Sequence, residues 1–280
     1  MKPDPAPLAI DPPPPSAEAA AARETGSRPS PGEILRTLLW LSIQAVACLA
    51  VAGLAAVVLV RVGADLYEGL DPFVASARRP FPGSTRLAAR GLSVDVLRQV
   101  LLAGIVVGLA VWRVGGGWRS ALALDRMRPN GMRPARLLAI LLVWPVLHIL
   151  WVSGTAAISG ANLPPGGTRL SPALTPSLVA LWLLTVVVLT PAAEELLMRG
   201  ALFAQALRRL GGPGAVLVTA AIFAGVHAVS FNLTQPLSLV PLALALGWLR
   251  WRTGRLWPCI CLHGWSNLVS IAYLLWPLGT

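Results

Sequence analysis

Charge is what this chain has least of. Only 12% of its 280 residues are charged, while 55% are hydrophobic and the mean hydropathy is +0.68. A soluble domain carries about a quarter charged residues, so this sequence cannot coat a water-facing globule, and a cytosolic globular enzyme is excluded. Lysine is nearly missing: Lys2 is the single one, and arginine supplies the rest of the 23 basic residues, set against 12 acidic ones. Cysteine is scarce too. Cys48, Cys259 and Cys261 all lie in apolar stretches, where they offer neither a disulfide framework nor a zinc-finger spacing and read as packing residues. There is no internal repeat and no Gly-rich phosphate loop opening a strand–helix unit. Residues 1–33 lack aromatics and any long apolar run and are rich in Pro and Ala. Such a segment cannot offset its ordering entropy, so it reads as a disordered cytosolic tail, and without an apolar h-region it is no signal peptide.

What is present is a series of apolar blocks near bilayer length, at 38–60, 94–112, 137–158, 176–208, 214–231, 236–250 and 256–276. Only helices or closed barrels can cross lipid, and these runs are too long and continuous for barrel strands. The expected fold class is all-α: a polytopic transmembrane helical bundle of about seven spans. Behind the tail it divides into N-terminal membrane helices and loops at 34–133 and a core at 134–280. The net charge of +11 does not indicate nucleic acid. Most basic residues lie between the blocks, where they set orientation, and their distribution places the N-terminus in the cytosol. The loop 61–93, with its own arginines, runs against that bias and could lie on the membrane surface. Trp112, Trp118, Trp248, Trp251, Trp257 and Trp276 fall near block ends, as expected of interfacial rings.

Ionisable groups in hydrocarbon are costly and usually face an interior cavity. Few occur here. The fourth block holds Glu194, Glu195 and Arg199, the fifth His227, the seventh His263 with Asn267, and the third only His148, which reads as an interhelical hydrogen bond. Glu195 and Arg199, at i and i+4, can pair along one face. Glu194 is turned about 100° away and lacks that partner. Phe223 and His227 share a face, as do His263 and Asn267. Counted from their cytosolic ends, Glu194, His227, His263 and Asn267 lie roughly 22, 20, 10 and 16 Å deep, which helix tilt can bring to one level. Pro191, just before the acidic pair, predicts a kink that opens room for water.

These groups suit hydrolysis of an amide without a Ser or Cys nucleophile. A carboxylate in apolar surroundings can act as general base toward water, with an imidazole orienting that water. A His–Asn pair can donate hydrogen bonds to the oxyanion of the tetrahedral intermediate. Glu194, His227 and His263 are equally legitimate zinc ligands, and metal-activated water would do the same work. The residues alone do not separate the two mechanisms.

Glu194-Glu195-Leu-Leu-Met-Arg199, Phe223-Ala-Gly-Val-His227 and His263-Gly-Trp-Ser-Asn267, in this order, resemble the motifs of the CPBP family, the CAAX proteases and bacteriocin-processing (Abi) intramembrane proteases. That family's pattern is E-E-x-x-x-R, then F-x-x-x-H, then H-x-x-x-N or H-x-x-x-D, on successive membrane helices. The resemblance covers roughly 134–280. It implies that Glu194 and His227 activate water, that His263 and Asn267 stabilise the oxyanion, and that Glu195, Arg199 and Phe223 support the site. Family members have been described both as metalloproteases and as glutamic-type. The glutamic-type reading needs no cofactor, whereas the alternative would place zinc on Glu194, His227 and His263. The implied function is an intramembrane endopeptidase acting on a membrane protein or peptide, either CAAX-protease-like or processing a C-terminal sorting segment. The Ala-, Pro- and Arg-rich composition points to a GC-rich bacterial genome and hence to the plasma membrane. A non-catalytic immunity or assembly factor is one alternative. A proton-coupled transporter is another, though the inverted repeats that it predicts are missing.

Overall fold

The computed structural model of the protein describes residues 29–70, 85–125, 133–159, 171–231 and 234–275. Among the described residues there is no strand. The chain runs through α1 (Pro31–Leu70), α2 (Thr85–Val114), a 3₁₀ turn and the short α3 (Trp118–Ala121), and α4 (Pro134–Ser159). It continues through α5 (Pro176–Leu184), a π-turn π1 (Thr185–Leu189), α6 (Thr190–Glu195) and a second π-turn π2 (Leu196–Leu202). The last helices are α7 (Phe203–Phe231), α8 (Thr234–Thr253) and α9 (Trp257–Leu275).

The expected all-α bundle is what the chain forms. Among the described residues, four stretches are long and apolar enough to cross a membrane: Pro31–Leu66, Thr85–Ala121, Pro134–Thr155 and Pro176–Ala228. The last of these covers two of the blocks read from the sequence, because Gly211, at φ 69° and ψ −176°, breaks the helical path between them. Only glycine adopts that backbone at low cost. The sixth and seventh blocks form α8 and α9, of 20 and 19 residues; neither is among those four stretches. The expected count of seven spans is not confirmed by them.

Two boundaries move. The tail reading falls largely outside the described residues, but Pro31–Glu33 already belong to α1. Ser30 and Glu33 form a reciprocal cap there: the Ser30 amide donates to Glu33 Oε2 at 2.8 Å, and the Glu33 amide donates to Ser30 Oγ at 3.2 Å. The expected loop at 61–93 is helical over 61–70 and 85–93, so α1 and α2 run well past the apolar blocks that announced them. The remainder of that loop, and Trp276, lie outside the described residues.

Large apolar side chains face outward along α1 (Leu39, Ile43, Leu54) and α4 (Leu138, Leu142, Leu150). So continuous an exposed apolar surface suits lipid and not water. The protein is an integral membrane protein. Inside, Leu41, Leu102, Leu197, Met198, Phe203 and Ala215 join α1, α2, π2 and α7 in one core. A side-chain amide pair, Gln44 with Gln205 at 3.1 and 3.3 Å, ties α1 to α7.

Prolines inside helices explain several interhelical bonds. A proline removes the amide that would bond the carbonyl four residues back, and no water replaces it in a membrane interior. Pro145 in α4 thus releases Leu141 O, which accepts from Trp265 Nε1 of α9 at 2.8 Å. Pro241 in α8 releases Leu237 O, which accepts from Trp151 Nε1 of α4 at 2.9 Å. His148 completes the α4–α9 contact, its Nε2 2.9 Å from Ser270 Oγ, whose own proton goes to Ser266 O. The expectation of a structural role for His148 agrees with that bond.

Candidate active site

The acidic pair sits on a short piece of α-helix between two π-turns. A π-turn inserts one residue into a helix and is often found at functional sites. Where Pro191 predicts a kink, the chain instead adopts π1, in which the Thr190 amide bonds Thr185 O. Pro191, which has no amide, cannot bond a carbonyl of that turn. Asn267 of α9 donates Nδ2 to Val186 O at 2.9 Å. Gly264, one turn earlier on α9, lies so close that a Cβ there would run into Val187 O. Helix α9 is therefore seated directly on the π-turn that precedes the glutamates.

Within the site the two glutamates divide. Glu195 has no exposed side-chain surface; its Oε1 accepts from Arg199 Nη1 at 3.0 Å and from His263 Nδ1 at 2.9 Å. Arg199, equally buried, also donates Nη2 to Ala243 O of α8 at 3.0 Å. These bonds tie α6, π2, α8 and α9 together. Glu194 keeps 17% of its side-chain surface exposed, and its Oε2 stands 3.9 Å from His263 Nε2. That separation is too long for a hydrogen bond and leaves the carboxylate free for another partner.

The F-x-x-x-H spacing has a specific use. His227 donates Nδ1–H to Phe223 O at 2.7 Å, which leaves its Nε2 an unprotonated acceptor in the neutral ring. Phe223 is the hub of the cluster. Its ring meets His227 at 4.6 Å, His263 edge-on at 5.6 Å, and Arg199 Cζ at 4.8 Å. Glu194, Glu195, Arg199, Phe223, His227 and His263 are thus brought into one cluster, with Asn267 one turn further along α9. Among the described residues no three His, Cys, Asp or Glu side chains gather into a group that could hold a metal ion.

Nothing in the sequence marks Arg250. At the end of the sixth apolar block it reads, like Arg252 and Arg255 after it, as a basic residue setting orientation, yet it belongs to α8, is only 7% exposed, and donates Nε to Arg199 O at 2.9 Å. Arg255, another of the three, is buried as well. The backbone acceptors Ala243 O and Val186 O were equally invisible, because nothing in their side chains marks them.

The helical bundle thus carries two glutamates, two histidines and an asparagine on its inner helices. Residues 176–269 match the family model described as "type II CAAX prenyl endopeptidase Rce1-like", consistent with the CPBP family that the motifs resemble. A family of this kind implies a protease. Searches of curated proteins and of solved structures gave no match.

Proposed function

We propose that the protein is an intramembrane endopeptidase in which Glu194, assisted by His227, activates water to hydrolyse a peptide bond in a membrane-associated protein or peptide. The observation that carries this reading is the contrast between the glutamates. Glu195 is sealed and spent on two partners, while Glu194 is reachable and unpaired beside His263. In the reaction Glu194 takes a proton from water as the oxygen attacks the scissile carbonyl, and returns it to the departing nitrogen. The Nε2 of His227, left as an acceptor by the bond to Phe223 O, orients that water. His263 turns Nε2 toward Glu194 and can donate to the oxyanion when its ring carries both protons. Asn267 Nδ2 has one N–H committed to Val186 O and a second for the same oxyanion. The arginine distribution further supports a cytosolic N-terminus, and the composition supports a bacterial plasma membrane.

We read water activated by the carboxylate in preference to a zinc-bound water. Protein purified in lipid and exhaustively chelated is expected to retain its turnover of a farnesylated CAAX-box peptide and to contain no stoichiometric zinc by elemental analysis. One zinc per chain, lost in step with activity and restored with it, would replace this mechanism with a metal-dependent one. The function itself is tested by cleavage of that peptide, or of a membrane-protein tail, by wild type but not by the Glu194→Gln variant.

A further inference from the structure

Arg250 bonds a carbonyl of the second π-turn. In π2 the Phe203 amide bonds Met198 O, five residues back. The oxygen of Arg199 lies within this turn. Arg250 Nε, arriving from α8, takes that oxygen at 2.9 Å. Its guanidinium lies 5.5 Å from the ring of Phe203, the first residue of α7. The backbone grip and the side-chain triad meet on one residue: Arg199 is held by its carbonyl from Arg250, and by its guanidinium from Glu195 and Ala243 O.

We propose that Arg250 is a positioning residue for the glutamate pair, acting through the carbonyl of Arg199 to hold the π-turn in register; this rests on the protease reading above. Displacing the inserted residue by one position would rotate Arg199 by about 100° relative to Glu195. Glu195 would then lose its cation, and His263 would lose the fixed acceptor that aims its Nε2 at Glu194. The conventional reading of such an arginine, a positive charge marking the cytosolic side, predicts that charge is what matters. The geometry instead assigns the function to one N–H.

Glutamine and methionine separate these ideas. Gln places its Nε2 donor where Arg has Nε but carries no charge; Met has similar reach and no donor. Full-length wild type, Arg250→Gln and Arg250→Met are compared in lipid nanodiscs. Amide hydrogen exchange is followed by mass spectrometry over residues 196–206, together with turnover of a farnesylated CAAX-box peptide. The Gln variant is expected to match wild-type exchange within about twofold, and the Met variant to exchange about tenfold faster or more. In the Met variant kcat should fall by at least about tenfold with KM little changed, because the peptide's binding surface is intact while the glutamates are misplaced. Gln and Met variants that behave alike, whether both harmless or both damaging, overturn the proposal. If Arg250→Met does not fold, Arg250→Gln still decides, because a Gln variant with an unprotected turn shows that charge and not the donor was required. A wild type that cleaves nothing counts against the protease reading, while the exchange comparison still decides whether Arg250 holds the turn.

Discussion

Replacing Glu194 by Gln is expected to lower kcat by about 10²–10⁴-fold, the range contributed by a positioned general base, while the protein inserts and melts as wild type does. Stability should be preserved because Glu194 is partly exposed and has no hydrogen bond that the amide would forfeit; its nearest charged neighbour, His263 Nε2, is 3.9 Å away. The change keeps the shape of the side chain and removes only its ability to accept a proton from water. KM should therefore change little, placing the loss in the chemical step. Peptide turnover combined with a thermal melt checks both halves. Near-normal turnover would exclude Glu194 as the base.

Arg199→Ala is expected to fail in the opposite way, by lost stability before lost chemistry. Glu195 and Arg199 are both fully buried and 3.0 Å apart. Removing the cation leaves a carboxylate inside the bundle with His263 as its hydrogen-bond partner, and strips Ala243 O of its side-chain donor. Breaking a buried pair from one side costs about 3–5 kcal/mol, a large share of the roughly 5–15 kcal/mol typical of a domain. The variant should accumulate poorly and melt far below wild type, as measured by folded yield and thermal unfolding in detergent. Wild-type stability with abolished turnover would move Arg199 from support into the chemistry.

Much of this arrangement was legible in the sequence, for identifiable reasons. Polar residues in hydrocarbon are rare enough that each is informative, and the i,i+4 rule correctly paired Glu195 with Arg199. The spacing of Phe223 and His227 likewise anticipated a shared face, though not that the carbonyl of Phe223 would fix the histidine's proton. What was hidden is mostly backbone. A π-turn has no residue signature, so Pro191 predicts a kink where the chain makes an insertion. The oxygens of Val186, Arg199, Leu141 and Leu237 could not be foreseen to draw donors from Asn267, Arg250, Trp265 and Trp151. Arg250 was lost for a related reason, since an arginine at the end of an apolar block looks the same whether it faces headgroups or a carbonyl inside the bundle. The 61–93 loop was misjudged because helix length there is not set by hydropathy; α1 and α2 continue as helices beyond the apolar residues.

On the proposed reading the chain hydrolyses membrane proteins through Glu194. The peptide ends of the membrane proteome are compared in cells carrying wild type and in cells carrying Glu194→Gln at equal abundance. A set of new C-termini is expected with wild type and not with the variant, with the corresponding uncleaved proteins accumulating in the variant. Identical sets of ends in the two strains, with both proteins folded and in the membrane, would contradict that reading.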